Sequence, residues 1–272
     1  MRLLTFRHEG REKFGCLDGN EVVDISGVSG VPSSLLEMLR AGDDGRAAVA
    51  GALSAAPRLP LGDIDFLPVI PRPGKIVCLG LNYAEHAAEG GREKPDYPNF
   101  FMRSATSLIG HRADMIRPRI SEQLDFEAEL AAIIGRRVPR HTSKADALSF
   151  VAGYSCFNDG SVRDYQRRTP QWTIGKNFDA TGPFGPFFVS ADELPAGAAG
   201  LKIESRLNGS VMQSANTQDM IFPVDETIML LSQCMTLEAG DVLYLPSYWF
   251  HYIISTGTSA QCNTRSGAAI RG

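Results

Sequence analysis

The stretch LDFEAEL, residues 124–130, sets three carboxylates, Asp125, Glu127 and Glu129, alternately with apolar side chains. Read as a strand, it points all three to one face, because strand side chains alternate. The apolar run AAII follows, so the segment reads as part of a buried sheet, where unpaired like charges are costly. Something positive must sit against them. A hard divalent cation, Mg²⁺ or Ca²⁺, is the simplest answer, since it takes oxygen ligands. Glu127 and Glu129 are then the best ligands, and Asp159 in CFNDGSVRD completes a set that leaves positions for water and substrate. On spacing alone, a solvent-facing strand edge with salt bridges to Arg136, Arg137 or Arg140 is the more ordinary reading.

A second pair has catalytic spacing. His86 and Glu89 lie three residues apart in AEHAAEGG, so on a helical turn they share a face. A carboxylate beside an imidazole fixes its tautomer and raises its basicity, which suits a general base. By itself such a surface pair usually has no function.

The elements that must hold these residues follow from the pattern around them. Residues 1–68 read as a small N-terminal domain: a strand pair over MRLLTFRHEG and REKFGCLDGNEVVDIS, then a helix capped by Ser33 or Ser34 that ends near Gly42. After the linker LPVIPRPG, residues 69–272 form the main domain. KIVCLGLNY is a buried strand entering a loop, FVAGYSCFN a strand followed by a polar turn or short helix, and Asp225 opens an amphipathic helix with Ile228, Leu231 and Met235 on one side. Gly182, Pro183, Gly185 and Pro186 read as a rigid turn. The expected class is α+β.

Composition bounds the partners. The 272 residues are 43% hydrophobic and carry a net charge of −4 without a basic block, which argues against a nucleic-acid surface and for small-molecule partners. Five cysteines, Cys16, Cys78, Cys156, Cys234 and Cys262, lack metal-type spacing and read as reduced thiols of a cytoplasmic protein. No apolar run approaches a membrane span. The sequence leaves open a short targeting segment, such as a mitochondrial one.

Five segments in order, KIVCLGLNYAEHAAE, FFMRSATSLIG, LDFEAELAAIIGRR, GYSCFNDGSVRDYQ and QWTIGKNFDATGPFGP, resemble the fumarylacetoacetate hydrolase family. The resemblance is to its bacterial-type branch of 2-oxo acid hydrolases, decarboxylases, tautomerases and isomerases, and covers roughly residues 1–243. It implies a mixed β-roll, a homodimer, and Glu127, Glu129 and Asp159 as ligands of a catalytic Mg²⁺ replaceable by Mn²⁺ or Ca²⁺, with Asp125 behind them. Lys176 falls on the family's lysine that stabilises enolate charge. Arg163 and Gln166 fall on its substrate-holding arginine and glutamine, Arg103 on a pocket-facing cation, and Thr258 on a substrate-binding threonine. His86 and Glu89 become the dyad that activates water. The implied chemistry is C–C hydrolysis, decarboxylation or keto-enol tautomerisation of a 2-oxo acid or 1,3-dicarbonyl through a metal-stabilised enolate.

The resemblance departs after Gly240, Asp241 and Val242. The tail, 243–272, keeps TGT at Thr256 to Thr258 but not the family's following turn and closing strands. It is similar instead to a late segment of cupin-like (JmjC-type) oxygenases, with His251 at their metal-binding position. The upstream HxD of an iron site is missing, and His111 and Asp114 have the wrong spacing, so His251 is read as structural. An exposed apolar patch is expected if Tyr244, Tyr248, Trp249, Phe250 and Tyr252 fail to pack. The rival to an active enzyme is a catalytically impaired binding or oligomerisation protein.

Overall fold

The computed structural model describes residues 1–80, 82 and 95–246. The chain opens with strands β1 (Arg2–His8), β2 (Arg11–Asp18) and β3 (Glu21–Asp24). Glu9 and Gly10 join β1 to β2 with φ of 50° and 74°, the positive pair that a tight hairpin requires. Helix α1 (Leu35–Ala52) starts at Ser34, whose side chain accepts from the Glu37 amide, while Glu37 accepts in return from the Ser33 amide and hydroxyl. Gly42, at φ 62° and ψ −134°, breaks it midway, close to where the sequence ends the helix.

Strands β4 (Arg58–Pro60), β5 (Asp65–Phe66), β6 (Ile76–Gly80), β7 (Asn99–Met102) and β8 (Leu108–Ile109) follow. Next come β9 (Leu124–Asp125), β10 (Ala128–Ile134), helix α2 (Lys144–Ala147) and β11 (Val151–Asn158). Then come β12 (Ser161–Val162), helix α3 (Arg163–Gln166), β13 (Gly182–Pro183) and β14 (Phe188–Ser190). A hairpin of β15 (Lys202–Leu207) and β16 (Ser210–Asn216), helix α4 (Val224–Cys234) and β17 (Val242–Pro246) complete the described chain.

Eleven strands form one sheet in the order β4-β3-β2-β1-β14-β11-β10-β17-β6-β7, with β5 paired to β1. Among the described residues, only the β17–β6 pair in it is parallel. The N-terminal strands thus continue the main sheet through β1 and β14. β9 pairs with β12, β8 with β13, and β15 with β16, each outside that sheet.

Alternation along β10 sorts the core into two faces. Ala131 and Ile133 join Leu3, Phe14, Ile25, Phe157 and Tyr244 beneath α1. Leu130, Ala132 and Ile134 join Val77, Leu79 and Leu243 beneath Ile228 and Leu231 of α4. The amphipathic helix read from sequence therefore covers a sheet face.

The atypical tail needs one correction at its start. Residues 243–246 are not a replaced appendage but strand β17, inserted between β10 and β6. Buried Asp241 secures its entry by accepting from the Lys75 amide (2.7 Å) and ammonium (2.9 Å). Tyr244 is fully buried and stacks on Phe157 at 3.6 Å between centroids, so it contributes to no exposed patch. Tyr248, Trp249, Phe250, His251, Tyr252 and Thr258 lie outside the described residues.

Candidate metal centre

LDFEAEL does not form one continuous strand. β9 ends at Asp125 and β10 begins at Ala128, leaving Phe126 and Glu127 in a break. Side chains take up the local amides: Asp125 Oδ1 accepts from Phe126 (2.8 Å) and Asn158 Oδ1 from Glu127 (3.1 Å). Asp159 follows the end of β11, its amide donating to the Glu127 carbonyl at 2.9 Å. The break thus turns Glu127 and Glu129 toward Asp159. One ligand atom from each of the three lies within 4.8 Å of the others, and all three residues are buried. The surface alternative fails, since Arg136 and Arg140 bond the backbone elsewhere and Arg137 pairs with Glu238.

Cations surround this cluster. Lys176 Nζ donates to Glu127 Oε2 at 2.7 Å and to Asp159 Oδ2. Arg163 is fully buried; it donates to Asp125 Oδ2 at 2.7 Å, Glu127 Oε1 at 2.5 Å and Gln166 Oε1 at 2.8 Å. Arg103, expected to face substrate, gives its guanidinium to Asp159, the Gly160 carbonyl, Ser107 and Thr181. It holds a carboxylate of the cluster in place. Gly182 makes room for it, because a Cβ there would lie 2.9 Å from Arg103 Nη2.

The two glutamates differ sharply. Burial would raise the Glu127 carboxyl, but Arg163 and Lys176 overcome it and hold the group down at about 2. Burial pushes Glu129 well above the carboxylate range, and Asp159 nearby pushes the same way. Neither Glu129 oxygen has a hydrogen-bond partner among the described residues. Asp125 is raised by burial against the pull of Arg163. Lys176 is held above its ordinary value despite burial, by Asp159 and Glu127.

Four buried carboxylates, Asp125, Glu127, Glu129 and Asp159, therefore face three buried cations, Arg103, Arg163 and Lys176. Among the described residues, Glu129 is the one of the four with no hydrogen-bond partner on either oxygen. Hard oxygen donors around an unpartnered buried carboxylate fit a divalent cation such as Mg²⁺, Mn²⁺ or Ca²⁺. Glu127, Glu129 and Asp159 would hold it.

Asn158, Ser107 and Thr181 also build the site and were not read as functional from sequence. Asn158 had a signal, its place directly before Asp159 in the FND run; the hydroxyls had none. His86 and Glu89, the expected dyad, lie outside the described residues.

A mixed β-fold with a buried triad of acidic ligands backed by lysine and arginine defines a carboxylate-type metalloenzyme site. The chain belongs to the fumarylacetoacetate hydrolase family: the fumarylacetoacetate (FAA) hydrolase C-terminal family matches residues 75–246, beyond the limit of 243 expected from sequence. The members it resembles include enzymes. Over 251 residues it is 38% identical to oxaloacetate tautomerase FAHD2A, mitochondrial, of Bos taurus, covering 89% of this chain and 79% of that protein. A fumarylacetoacetate hydrolase structure from Exiguobacterium antarcticum superposes with TM-score 0.79 at 32% identity, covering 91% of this chain and 87% of the other. A maleylpyruvate hydrolase from Sphingobium sp. SYK-6, solved with manganese(II) and pyruvate, gives 0.76 at 27% identity, covering 91% and 89%. Among the described residues no helix is long and apolar enough to cross a membrane.

Proposed function

We propose that this protein is a divalent-metal-dependent enzyme that carries a 2-oxo acid or 1,3-dicarbonyl substrate through an enolate, with keto-enol tautomerisation of oxaloacetate as the leading activity. The observation that carries the metal reading is Glu129, fully buried, with neither oxygen partnered among the described residues, beside Glu127 and Asp159. The relatives named oxaloacetate tautomerase support the choice of substrate.

A divalent cation bound there supplies a Lewis acid that stabilises enolate charge. The chain's own residues do the rest. Lys176, kept protonated by Asp159 and Glu127, presents a fixed positive charge beside the proposed metal ligands, where enolate charge would grow. Arg163 locks Asp125 and Glu127, and orients Gln166, which offers its amide to the substrate. Arg103 holds Asp159 aimed at the site. His86, oriented by Glu89, moves the proton at the substrate carbon or, where water enters, activates it. Thr258 contributes to holding the substrate. Mg²⁺ is the proposed metal, with Mn²⁺ and Ca²⁺ as replacements, and a cytoplasmic homodimer the proposed state.

The test is to follow the enol-to-keto conversion of oxaloacetate on protein stripped of metal and then reloaded with Mg²⁺ or Mn²⁺, beside assays of oxaloacetate decarboxylation and acylpyruvate hydrolysis. Metal-dependent tautomerisation that falls roughly 10²–10⁴-fold in His86→Ala, with metal affinity unchanged, supports the assigned roles. Equal activity in stripped and loaded protein contradicts them.

A further inference from the structure

The break between β9 and β10 raises a question that the ligands themselves do not answer: what fixes the backbone between Glu127 and Glu129. The residue between them is Ala128, whose buried amide must find an acceptor. In the pairing of β10 with β17, Glu129 stands opposite Pro246, the last described residue of β17. The Ala128 amide donates to Gln213 Oε1 at 3.0 Å. Gln213 is 3% exposed and belongs to the β15–β16 hairpin, which lies outside the main sheet.

That acceptor is itself held. Ser205 stands directly across the hairpin from Gln213, so the two share a face, and its hydroxyl donates to the same Oε1 at 2.7 Å. Ile203 and Ala215 of the hairpin pack against the cluster that contains Leu130, seating the hairpin beside β10. Three consecutive amides, those of Phe126, Glu127 and Ala128, thus end on side-chain oxygens of Asp125, Asn158 and Gln213. Two of these come from the site's own strands; only Gln213 comes from a separate element. Moving Ala128 would swing the Cα–Cβ directions on both sides of it, and with them the distance between the two carboxylates. Metal affinity depends on that distance within a few tenths of an ångström.

We propose that Gln213 is a positioning residue of the metal centre: through the Ala128 amide it sets the spacing of Glu127 and Glu129, so that the β15–β16 hairpin tunes metal affinity from outside the main sheet. The proposal rests on the metal reading above. A bond to the backbone between two ligands has the same consequence as a bond to a ligand, and loss of such partners lowers metal affinity by roughly 10–100-fold.

The experiment combines Mn²⁺ titration with amide hydrogen exchange over residues 126–130 in the full chain. Gln213→Ala should weaken Mn²⁺ binding by about 10–100-fold and speed exchange in that segment. Gln213→Glu, which keeps an acceptor oxygen at the same reach, should restore the slow exchange of that segment. Val211→Ser, at an exposed position of the same strand, should change neither affinity nor exchange. If Gln213→Ala does not fold, Ser205→Ala loosens the same oxygen and is read in the same two assays. Mn²⁺ affinity within twofold of wild type in the folded Gln213→Ala variant, or equally fast exchange in the Ala and Glu variants, would overturn the proposal. Should the wild type bind no Mn²⁺, the metal reading fails on its own and exchange decides: faster exchange in Gln213→Ala upholds the clamp, and unchanged exchange refutes it.

Discussion

The two faces of the central sheet are built on opposite rules. Toward α4, Leu130, Ala132 and Ile134 pack with Val77, Leu79, Ile228 and Leu243 in an apolar layer. On the other face, the same strand begins with Glu129 in a buried cluster of four carboxylates and three cations and only then turns apolar through Ala131 and Ile133. Apolar burial stabilises by roughly 25 cal/mol per Å², whereas a buried ion cluster at best breaks even against an apolar packing of similar volume. The difference separates what holds the protein together from what the protein uses. Within the cluster the same division recurs: Glu127 is compensated by Arg163 and Lys176, and Glu129 has no partner among the described residues.

Substitutions on each side should fail in different ways. Glu129→Gln should have the largest functional effect, abolishing metal binding and turnover, yet thermal unfolding of the metal-free protein should show equal or greater stability, because an uncompensated buried carboxyl is gone. A clear drop in stability would place Glu129 among the structural groups. Arg163→Met should be the most destabilising, by about 3–5 kcal/mol in denaturant unfolding, because Asp125 and Glu127 lose their shared partner. Ile228→Ala, on the apolar side, should cost about 2–5 kcal/mol while calorimetric metal affinity stays at the wild-type value. A matching loss of affinity would mean that the two faces are coupled.

The smallest effect lies away from both faces. His111 packs edge-on against Phe66 at 5.1 Å, and burial, with Arg112 beside it, lowers its pKa to about 4. Its folded value is below that of a free histidine, so the unfolded chain binds the extra proton between about pH 6.5 and 4. Stability should therefore fall with pH across that window, by at most about 1.4 kcal/mol per pH unit from this group. His111→Gln should flatten the curve there; an unchanged curve would show that other groups set it.

The sequence carried the ligand types but not the way they are held. Alternation in LDFEAEL put Glu127 and Glu129 on one face; in the structure one ligand atom of each lies within 4.8 Å of one from Asp159, with Arg163 and Lys176 supplying the nearby positive charge. The same alternation predicted an unbroken strand, and that was wrong. The break depends on Asn158 and Gln213, 31 and 85 residues away from the amides they bind, and local periodicity contains no such information. Strand β17 was misread for a related reason. Residues 243–246 were judged against a family pattern that changes after Val242, while their burial between β10 and β6 is set by Asp241, Phe157 and the sheet itself. The helix α4, by contrast, was legible because its apolar side repeats at helical spacing within the segment.

The central claim is that Glu127, Glu129 and Asp159 form an assembled cation site able to present a chelating enolate-like ligand. Calorimetric titration of the purified wild-type protein with Mg²⁺ or Mn²⁺, repeated with oxalate as the enolate mimic, tests it most directly. The account predicts saturable metal binding, and oxalate binding only when metal is present. Folded protein that binds neither metal nor oxalate, or binds oxalate equally well without metal, would contradict it.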